Sequence, residues 1–230
     1  MNNWQIPPSV LRHLDEAPTD RPVVVLLRHS VREDLAPDDV GYDLPITEIG
    51  RRLAVELGAL LHGRLRTLHT SPLARCVQTA GAIAEGAGAD LRIVPSRLLG
   101  DPGVFVLDGK LAWKNWQELG HEGVMQHLVT NNTALPGMAQ PDQAARFLVQ
   151  SMLATAADEP GIHIFVTHDL LVTATAASML GRPLRVDDWP EFLEAAFFWR
   201  TDEGVHAAYR DYTSIQEGAF VCELSACDST

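Results

Sequence analysis

The order of hydrophobic and polar positions divides most of the chain into short apolar runs that alternate with segments of helical period. Strands are predicted at residues 23–27, 67–70, 91–94 and 162–167, and helices at residues 48–62, 72–86, 142–157 and 170–180. Alternation of this kind is typical of an α/β fold whose central sheet is mostly parallel. We therefore predict a three-layer α/β/α sandwich.

The first apolar run is the most informative, because no polar residue interrupts it. The run Pro22 to Leu27 is rich in β-branched residues, which predicts a strand buried on both faces of the sheet. Arg28 and His29 follow directly, and Arg32 comes three residues later. The carboxyl end of such a strand borders the ligand crevice of an open α/β sheet. Arginine binds oxyanions through two hydrogen bonds, and imidazole can attack phosphorus, so an anion site is predicted there.

Three parts of the chain depart from the alternation. Residues 1–21 are polar and are expected to form a loosely held N-terminal leader, in which Ser9–Leu14 is a candidate short helix. Residues 97–140 show no clear strand or helix pattern, and we expect them to form a small cap over the site. The segments 195–200 and 205–210 predict a C-terminal β-hairpin. One domain is thus expected over residues 22–230, with the cap inserted at about 97–140.

Composition narrows the classes of function. Hydrophobic residues make up 46% of the 230 positions, and the formal net charge of −12 argues against general binding to nucleic acid or anionic membranes. The cysteines, Cys76, Cys222 and Cys227, match neither a disulfide framework nor a zinc pattern, and no metal or cofactor is predicted. Apolar runs fall far short of the roughly 20 residues that a membrane-spanning helix needs. We expect a soluble cytoplasmic protein.

Polar side chains of similar chemistry follow three of the predicted strands. The first strand is followed by Arg28, His29 and Arg32, the second by the segment Ser71 to Arg75, and the fourth by His168 and Asp169. The carboxyl ends of parallel strands lie at one edge of a sheet, so these side chains can converge. Guanidinium and imidazole groups around one point form an anion site of the kind that phosphoryl transfer requires.

These residues lie in segments that resemble the histidine phosphatase superfamily, the phosphoglycerate-mutase-like and acid-phosphatase group. The matching segments are Leu26 to Ser30, Pro45 to Gly50, Thr70 to Arg75 with Thr79-Ala80, and Val166 to Asp169. Each segment alone is a weak signal, but their order and spacing agree with the family from about residue 22 to 181. The resemblance implies a metal-independent phosphomonoesterase that acts on a small phosphorylated substrate.

The resemblance also implies a role for each matching residue. His29 would be the nucleophile that forms a covalent phosphohistidine, and Arg28, Arg75 and His168 would bind the phosphoryl oxygens. Arg32 resembles the additional arginine of the acid-phosphatase branch, which would place it among the substrate-binding residues. This chemistry needs an unprotonated His29, whereas His168 is more useful as a cationic hydrogen-bond donor.

The proton donor for the leaving oxygen stays open between two aspartates. The mutase-like branch places a glutamate on the segment after the second arginine, where this chain offers Asp101. The acid-phosphatase branch uses the aspartate after the second histidine, which here is Asp169. We favour Asp169 and keep Asp101 as the alternative, so the chain looks intermediate between the branches. Each residue also has a structural interpretation, since Asp169 could cap a helix and Asp101 could form a turn.

Two other functions remain possible. One is a phosphomutase of the same fold, which needs a pocket for a second phosphate. The cap segment disfavours it, because its only basic residues are Arg97, Lys110 and Lys114. The other is a non-catalytic regulatory module that binds phosphate. The acidic loop at residues 31–45 would disfavour highly anionic substrates if it faces the pocket, but the sequence predicts neither the substrate nor the oligomeric state.

Overall fold

The computed structural model describes residues 4–34, 41–131 and 133–217. Cys222, Cys227 and residues 35–40 of the acidic loop lie outside the described residues. The strands are β1 Pro22–Arg28, β2 Leu65–Thr70, β3 Ile93–Pro95, β4 Gly161–Thr167, β5 Ala195–Thr201, β6 Gly204–Tyr209 and β7 Tyr212–Gln216. The α-helices are α1 Pro8–Glu16, α2 Glu48–Leu60, α3 Ala74–Ala87, α4 Gly109–Thr130, α5 Pro141–Ala156 and α6 Asp169–Leu180.

The strands form a single seven-stranded sheet in the order β3-β2-β4-β1-β5-β6-β7. The first four strands of this order run parallel, and β5, β6 and β7 continue the sheet as an antiparallel meander. The α/β fold with a parallel sheet core is confirmed, and β7 extends the predicted hairpin by a third strand. β1 and β4 are neighbours, so the residues that follow them lie side by side.

Helices cover both faces of the sheet, and the residues of β1 point alternately to the two sides. Val23, Val25 and Leu27 join a buried cluster that includes α2 and α3 residues. Val24 and Leu26 join a second cluster that includes α5 and α6 residues. Burial on both faces explains why this strand lacks the polar alternation of a surface strand.

The N-terminal segment differs from the loosely held leader that the sequence suggested. Ile6, Val10 and Leu14 belong to the same buried cluster as α2 and α3. His13 Nε2 also lies 2.8 Å from the carbonyl oxygen of Arg210. One narrow apolar stripe is enough to attach a nine-residue helix to a core, and such a stripe is easily overlooked in a polar segment.

Residues 97–140 are more regular than predicted, because half of them belong to the 22-residue helix α4. The backbone is non-helical at Gly120, with φ 69° and ψ 176°, so α4 is kinked there. Val124 and Leu128 lie beyond the kink and share a third buried cluster with Leu170 and Leu171 of α6. This segment therefore packs against the helix that begins directly after His168.

The sequence predicted the start of α2 correctly but placed the start of α3 too early. Thr47 caps α2 as predicted, because its Oγ1 accepts a hydrogen bond of 3.0 Å from the amide of Gly50. α3 begins at Ala74 rather than at Pro72, and the amide of Ser71 instead donates to the carbonyl oxygen of Val166, at 2.8 Å.

None of the helices in the described residues has the length and apolar character needed to cross a membrane.

Candidate active site

The carboxyl ends of β1, β2 and β4 bring together the polar residues that the sequence singled out. Arg28 pairs with Thr167 in the parallel register, which places His29 beside His168, with their ring centroids 5.6 Å apart. The amide of His29 donates to the carbonyl oxygen of Thr167 at 2.9 Å. Arg75 reaches the same place from the first turn of α3, and its Nη2 is 3.4 Å from His168 Nδ1.

His29 has the ionisation state and tautomer of a nucleophile. Its side chain is almost fully buried, and Nδ1 lies 2.8 Å from the carbonyl oxygen of Ser30. A carbonyl can only accept, so Nδ1 carries the proton and Nε2 keeps its lone pair. Burial, together with the nearby His168 and Arg28, holds the pKa of His29 well below its ordinary value. The ring is therefore neutral near pH 7.

The loop after β1 is held by buried hydrogen bonds around Ser30. Its amide donates to Thr79 Oγ1 at 3.0 Å, and its hydroxyl donates to the carbonyl oxygen of Gly50 at 2.7 Å. Thr79 and Gly50 both belong to the segments that matched the family in the sequence. Their role here is to position the residue that orients the His29 ring.

His168 lies between Ser71 and Arg75. Its Nε2 is 3.0 Å from the Ser71 hydroxyl, and Arg75 donates towards Nδ1, so the proton of a neutral ring belongs on Nε2. Burial and the charge of Arg75 lower the pKa of His168 to about 3. The cationic donor that we expected is thus neutral in this structure, and the negative charge of a bound phosphoryl group would favour its protonation.

Three arginines surround the two imidazoles. In Arg28, Arg32 and Arg75 the buried Nε atom has no hydrogen-bond partner within the part of the chain that the structure describes. An unpaired buried donor is costly, so an oxyanion bound here would stabilise this arrangement. Within the same described residues, no group of three or more His, Cys, Asp or Glu side chains could hold a metal ion. The site suits an anion.

Phe192 lines the site next to Arg28 and His29, the residues at the end of β1. Its ring centroid is 4.3 Å from the Arg28 guanidinium carbon and 5.6 Å from the His29 ring centroid. The guanidinium also donates to the carbonyl oxygen of Pro190 at 2.6 Å. These contacts fix the orientation of Arg28 and limit the water that reaches the site from this side.

Asp169 is ionised and already has three partners. Its Oδ2 is 3.1 Å from Arg28 Nη2 and 3.6 Å from His121 Nε2, and its Oδ1 accepts from the amide of Leu170 at 2.8 Å. Burial alone would raise the pKa of Asp169, but the contact with His121 and the charge of Arg28 outweigh it. The pKa consequently lies well below its usual range.

Asp101 lies at the mouth of the site, next to a glycine that packs directly on His168. A Cβ atom added to Gly100 would be 2.8 Å from His168 Nε2, so only glycine fits there without a shift. The Asp101 carboxylate accepts a hydrogen bond of 3.0 Å from the Tyr42 hydroxyl, and Arg97 Nη2 is 3.6 Å away. This contact connects the loop after β1 to the segment before α4.

The structure thus brings Arg28, His29, Arg75, His168 and Asp169 into one connected group, with Arg32 and Asp101 at its border. Sequence reasoning missed His121 and Phe192. The only sequence signal for His121 was its place in the predicted cap segment, and Phe192 lies in a segment without periodicity. His163 of β4 lies apart from this group and contacts Thr67 inside the sheet, with Nδ1 to Oγ1 at 3.0 Å.

Comparisons with known proteins agree with this geometry. A family model described as the histidine phosphatase superfamily (branch 1) matches residues 24–195. This is three quarters of the chain, and it contains every site residue named above. No curated protein matches the sequence at a significant level.

Several solved structures share the fold at low sequence identity. Mycobacterial hydrolase 2 has a TM-score of 0.54 and 19% identity, covering 85% of this chain and 93% of that chain. A phosphoserine phosphatase mutant from Entamoeba histolytica, in complex with phosphoserine, has a TM-score of 0.53 and 13% identity, covering 82% and 96%. The phosphoglycerate mutase from Bacillus anthracis has a TM-score of 0.50 and 16% identity, covering 87% and 94%. These likenesses establish the fold.

Proposed function

Because the chain belongs to the histidine phosphatase superfamily (branch 1), we propose that it hydrolyses phosphate monoesters through a phosphohistidine on His29. The observation that carries this proposal is the buried, neutral His29 ring. Its Nδ1–H is held by the Ser30 carbonyl, so Nε2 keeps the lone pair that a nucleophile needs. The unpartnered Nε atoms of Arg28, Arg32 and Arg75 offer donors for the phosphoryl oxygens.

In the first step, a bond forms between His29 Nε2 and phosphorus while the bond from phosphorus to the ester oxygen breaks. The guanidinium groups are already oriented, so they compensate the charge on the phosphoryl oxygens with little reorganisation. His168 becomes a cationic donor when it takes up a proton beside the bound anion. Water then attacks phosphorus, the bond to Nε2 breaks, and inorganic phosphate leaves.

The leaving oxygen must receive a proton, and Asp169 holds none in this structure. The 3.1 Å contact with Arg28 keeps Asp169 ionised, and the pKa of its carboxyl lies well below the usual range. The carboxyl group of Asp101 accepts a hydrogen bond from the Tyr42 hydroxyl. We keep Asp169 as the favoured residue for proton transfer, because it contacts Arg28 beside the nucleophile. Since Asp169 is itself ionised, the proton must come from a residue in contact with it.

The surroundings favour a small substrate and hydrolysis rather than mutase activity. The hydrogen bond between Tyr42 and Asp101 joins the two segments that border the site. A mutase needs buried cations for a second phosphate. The basic residues of the cap segment, Arg97, Lys110 and Lys114, are instead exposed to solvent. The low cysteine content and the net charge of −12 fit a cytoplasmic protein.

Hydrolysis of p-nitrophenyl phosphate in the presence of EDTA tests this proposal. The wild-type protein is expected to turn over the ester and to carry acid-labile phosphate when the reaction is quenched. His29→Ala is expected to show neither activity nor bound phosphate. His62→Gln is the matched control, because this histidine contacts the Ala87 carbonyl at the opposite edge of the sheet and should leave both measurements unchanged.

Each other outcome has a definite meaning. A fully active His29→Ala variant would overturn the proposal. Turnover that requires a bisphosphate primer would identify a mutase. Tight binding of vanadate without hydrolysis of any tested ester would identify a regulatory module that has kept the anion pocket.

A further inference from the structure

A histidine from the cap segment reaches the carboxylate at the edge of the site. His121 Nε2 lies 3.6 Å from Asp169 Oδ2, and the same oxygen is 3.1 Å from Arg28 Nη2. The Asp169 carboxylate therefore links α4 to the arginine that precedes the nucleophile. His121 lies outside the sequence segments that resemble the family, since residues 97–140 contain none of those segments.

The kink in α4 accounts for the position of His121. Gly120 has φ 69°, which residues other than glycine rarely adopt, and the helical backbone is interrupted directly before His121. After the kink, Val124 and Leu128 pack in a buried cluster with residues of α6. The start of the second half of α4 is thus anchored against the helix whose first residue is Asp169.

The two partners differ in exposure and in ionisation. The side chain of His121 is 52% exposed, whereas that of Asp169 is 23% exposed. The contact with the Asp169 carboxylate raises the pKa of His121 above its ordinary value of 6.5, although burial and the charges of Arg28 and Arg32 oppose this. The protonated form of His121 is thus favoured beside the ionised Asp169, and the exposed side of its ring can regain a proton from water.

We propose that His121 is the proton donor for the leaving oxygen and that Asp169 holds it in place as an imidazolium–carboxylate pair; this inference rests on the proposed phosphatase function. The separation of 3.6 Å is longer than an ordinary hydrogen bond, so an ester oxygen beside Asp169 can compete for the proton on Nε2.

The proton balance of both steps follows from this assignment. When the bond between phosphorus and the ester oxygen breaks, the Nε2–H bond of His121 breaks and its proton goes to that oxygen. His121 is then neutral. In the second step it takes a proton from the attacking water, whose oxygen bonds to phosphorus while the bond to His29 breaks. His121 is protonated again at the end of the cycle.

The test compares kcat/KM for phenyl phosphate and p-nitrophenyl phosphate in wild type and His121→Gln. Phenolate is a poor leaving group that needs the acid, whereas p-nitrophenolate leaves with little help. We expect a loss on the order of 10²–10⁴-fold with phenyl phosphate and a much smaller loss with p-nitrophenyl phosphate. The basic limb of the pH profile of kcat/KM should also disappear in the variant.

Two further variants distinguish proton donation by His121 from proton donation by Asp169. His127→Gln is the matched control, because His127 is on the same helix and contacts the Thr133 carbonyl at 3.0 Å. It should behave as wild type with both esters. Asp169→Asn should keep a basic limb but move it to lower pH, since His121 loses the carboxylate that favours its charged form. Loss of that limb in Asp169→Asn together with an unaffected His121→Gln would assign the donor to Asp169.

The remaining outcomes distinguish this inference from the function on which it rests. Equal losses with both esters in His121→Gln would indicate a structural role and overturn the inference, while the phosphatase function would stand. Wild-type protein that hydrolyses neither ester would overturn the phosphatase function and the donor role with it. Partial rescue of His121→Ala by added imidazole, greater with phenyl phosphate, would support the assignment.

Discussion

At the scale of single residues, three histidines of one site differ in ionisation because their neighbours differ. His29 and His168 are buried beside arginines, which lowers the pKa of each and keeps both rings neutral. His121 is half exposed beside the Asp169 carboxylate, which raises its pKa. Burial and local charge thus shift the pKa of the same side chain in opposite directions. In the proposed mechanism this suits His29 as the nucleophile and His121 as the acid.

The low pKa of His168 predicts how stability changes with pH. Its pKa is about 3 in the folded chain, against an ordinary value of 6.5. Between these values the unfolded chain binds a proton that the folded chain does not, so stability falls as pH falls below about 6.5. The loss is about 1.4 kcal/mol per pH unit for one such group.

His168→Asn removes this titration. The free energy of unfolding in urea should therefore depend less on pH in the variant than in wild type between about pH 6.5 and pH 5. Above pH 7 the ring is neutral in both states, so the difference between the two proteins should there be constant. Identical slopes in the acidic range would show that His168 is not held neutral by the fold.

At the scale of elements, the site depends on where segments approach each other closely. The segment after β3 passes directly over His168, and Gly100, with φ 148°, is its point of contact. A Cβ atom there would be 2.5 Å from Ser71 Oγ and 2.8 Å from His168 Nε2. The packing of this segment therefore determines the position of His168 as directly as β4 does.

Gly100→Ala should displace His168 or Ser71 and so impair activity more than folding. We expect kcat/KM for p-nitrophenyl phosphate to fall about 100-fold, as small misplacements in a site commonly do. Gly109→Ala is the control, because a Cβ at this start of α4 meets no atom within 4 Å. Thermal unfolding of both variants should show an intact fold. Wild-type activity in Gly100→Ala would mean that this contact does not constrain the site.

Elements with strong periodicity could be predicted from the sequence, and so could the site residues that follow them. The parallel order of β1 and β4 brings His29 to His168 as expected. The missed features depend on tertiary packing: a few apolar residues anchor α1, a candidate helix in the sequence, to the core, and a kink positions His121. The neutral state of His168 could not be predicted either, because it results from burial and from Arg75.

At the scale of the whole molecule, the net charge of −12 contrasts with the arginine-rich site. An acidic protein repels phosphate esters at a distance, and salt screens this repulsion beyond about 10 Å. The buried guanidinium groups act at short range, where screening is weak. If the proposed function holds, binding of a phosphate ester depends on local contacts with Arg28 and Arg75 rather than on the overall field of the protein.

Inorganic phosphate should accordingly stabilise the folded protein. At a concentration 100 times its Kd, a ligand that binds only the folded state adds about 2.7 kcal/mol, which corresponds to a rise in Tm of about 5–10 °C for a chain of this size. Arg75→Ala should lose most of this rise. Arg51→Ala is the control, because Arg51 pairs with Glu85 on the surface, with its side chain 48% exposed.

His29→Ala separates binding from chemistry in the same measurement. The variant keeps all three arginines, so phosphate should still raise its Tm although turnover is lost. A rise that survives in Arg75→Ala would place the bound anion elsewhere on the protein. A rise lost in both Arg75→Ala and His29→Ala would mean that the imidazole is part of the anion site itself, and that the arginines alone do not form it.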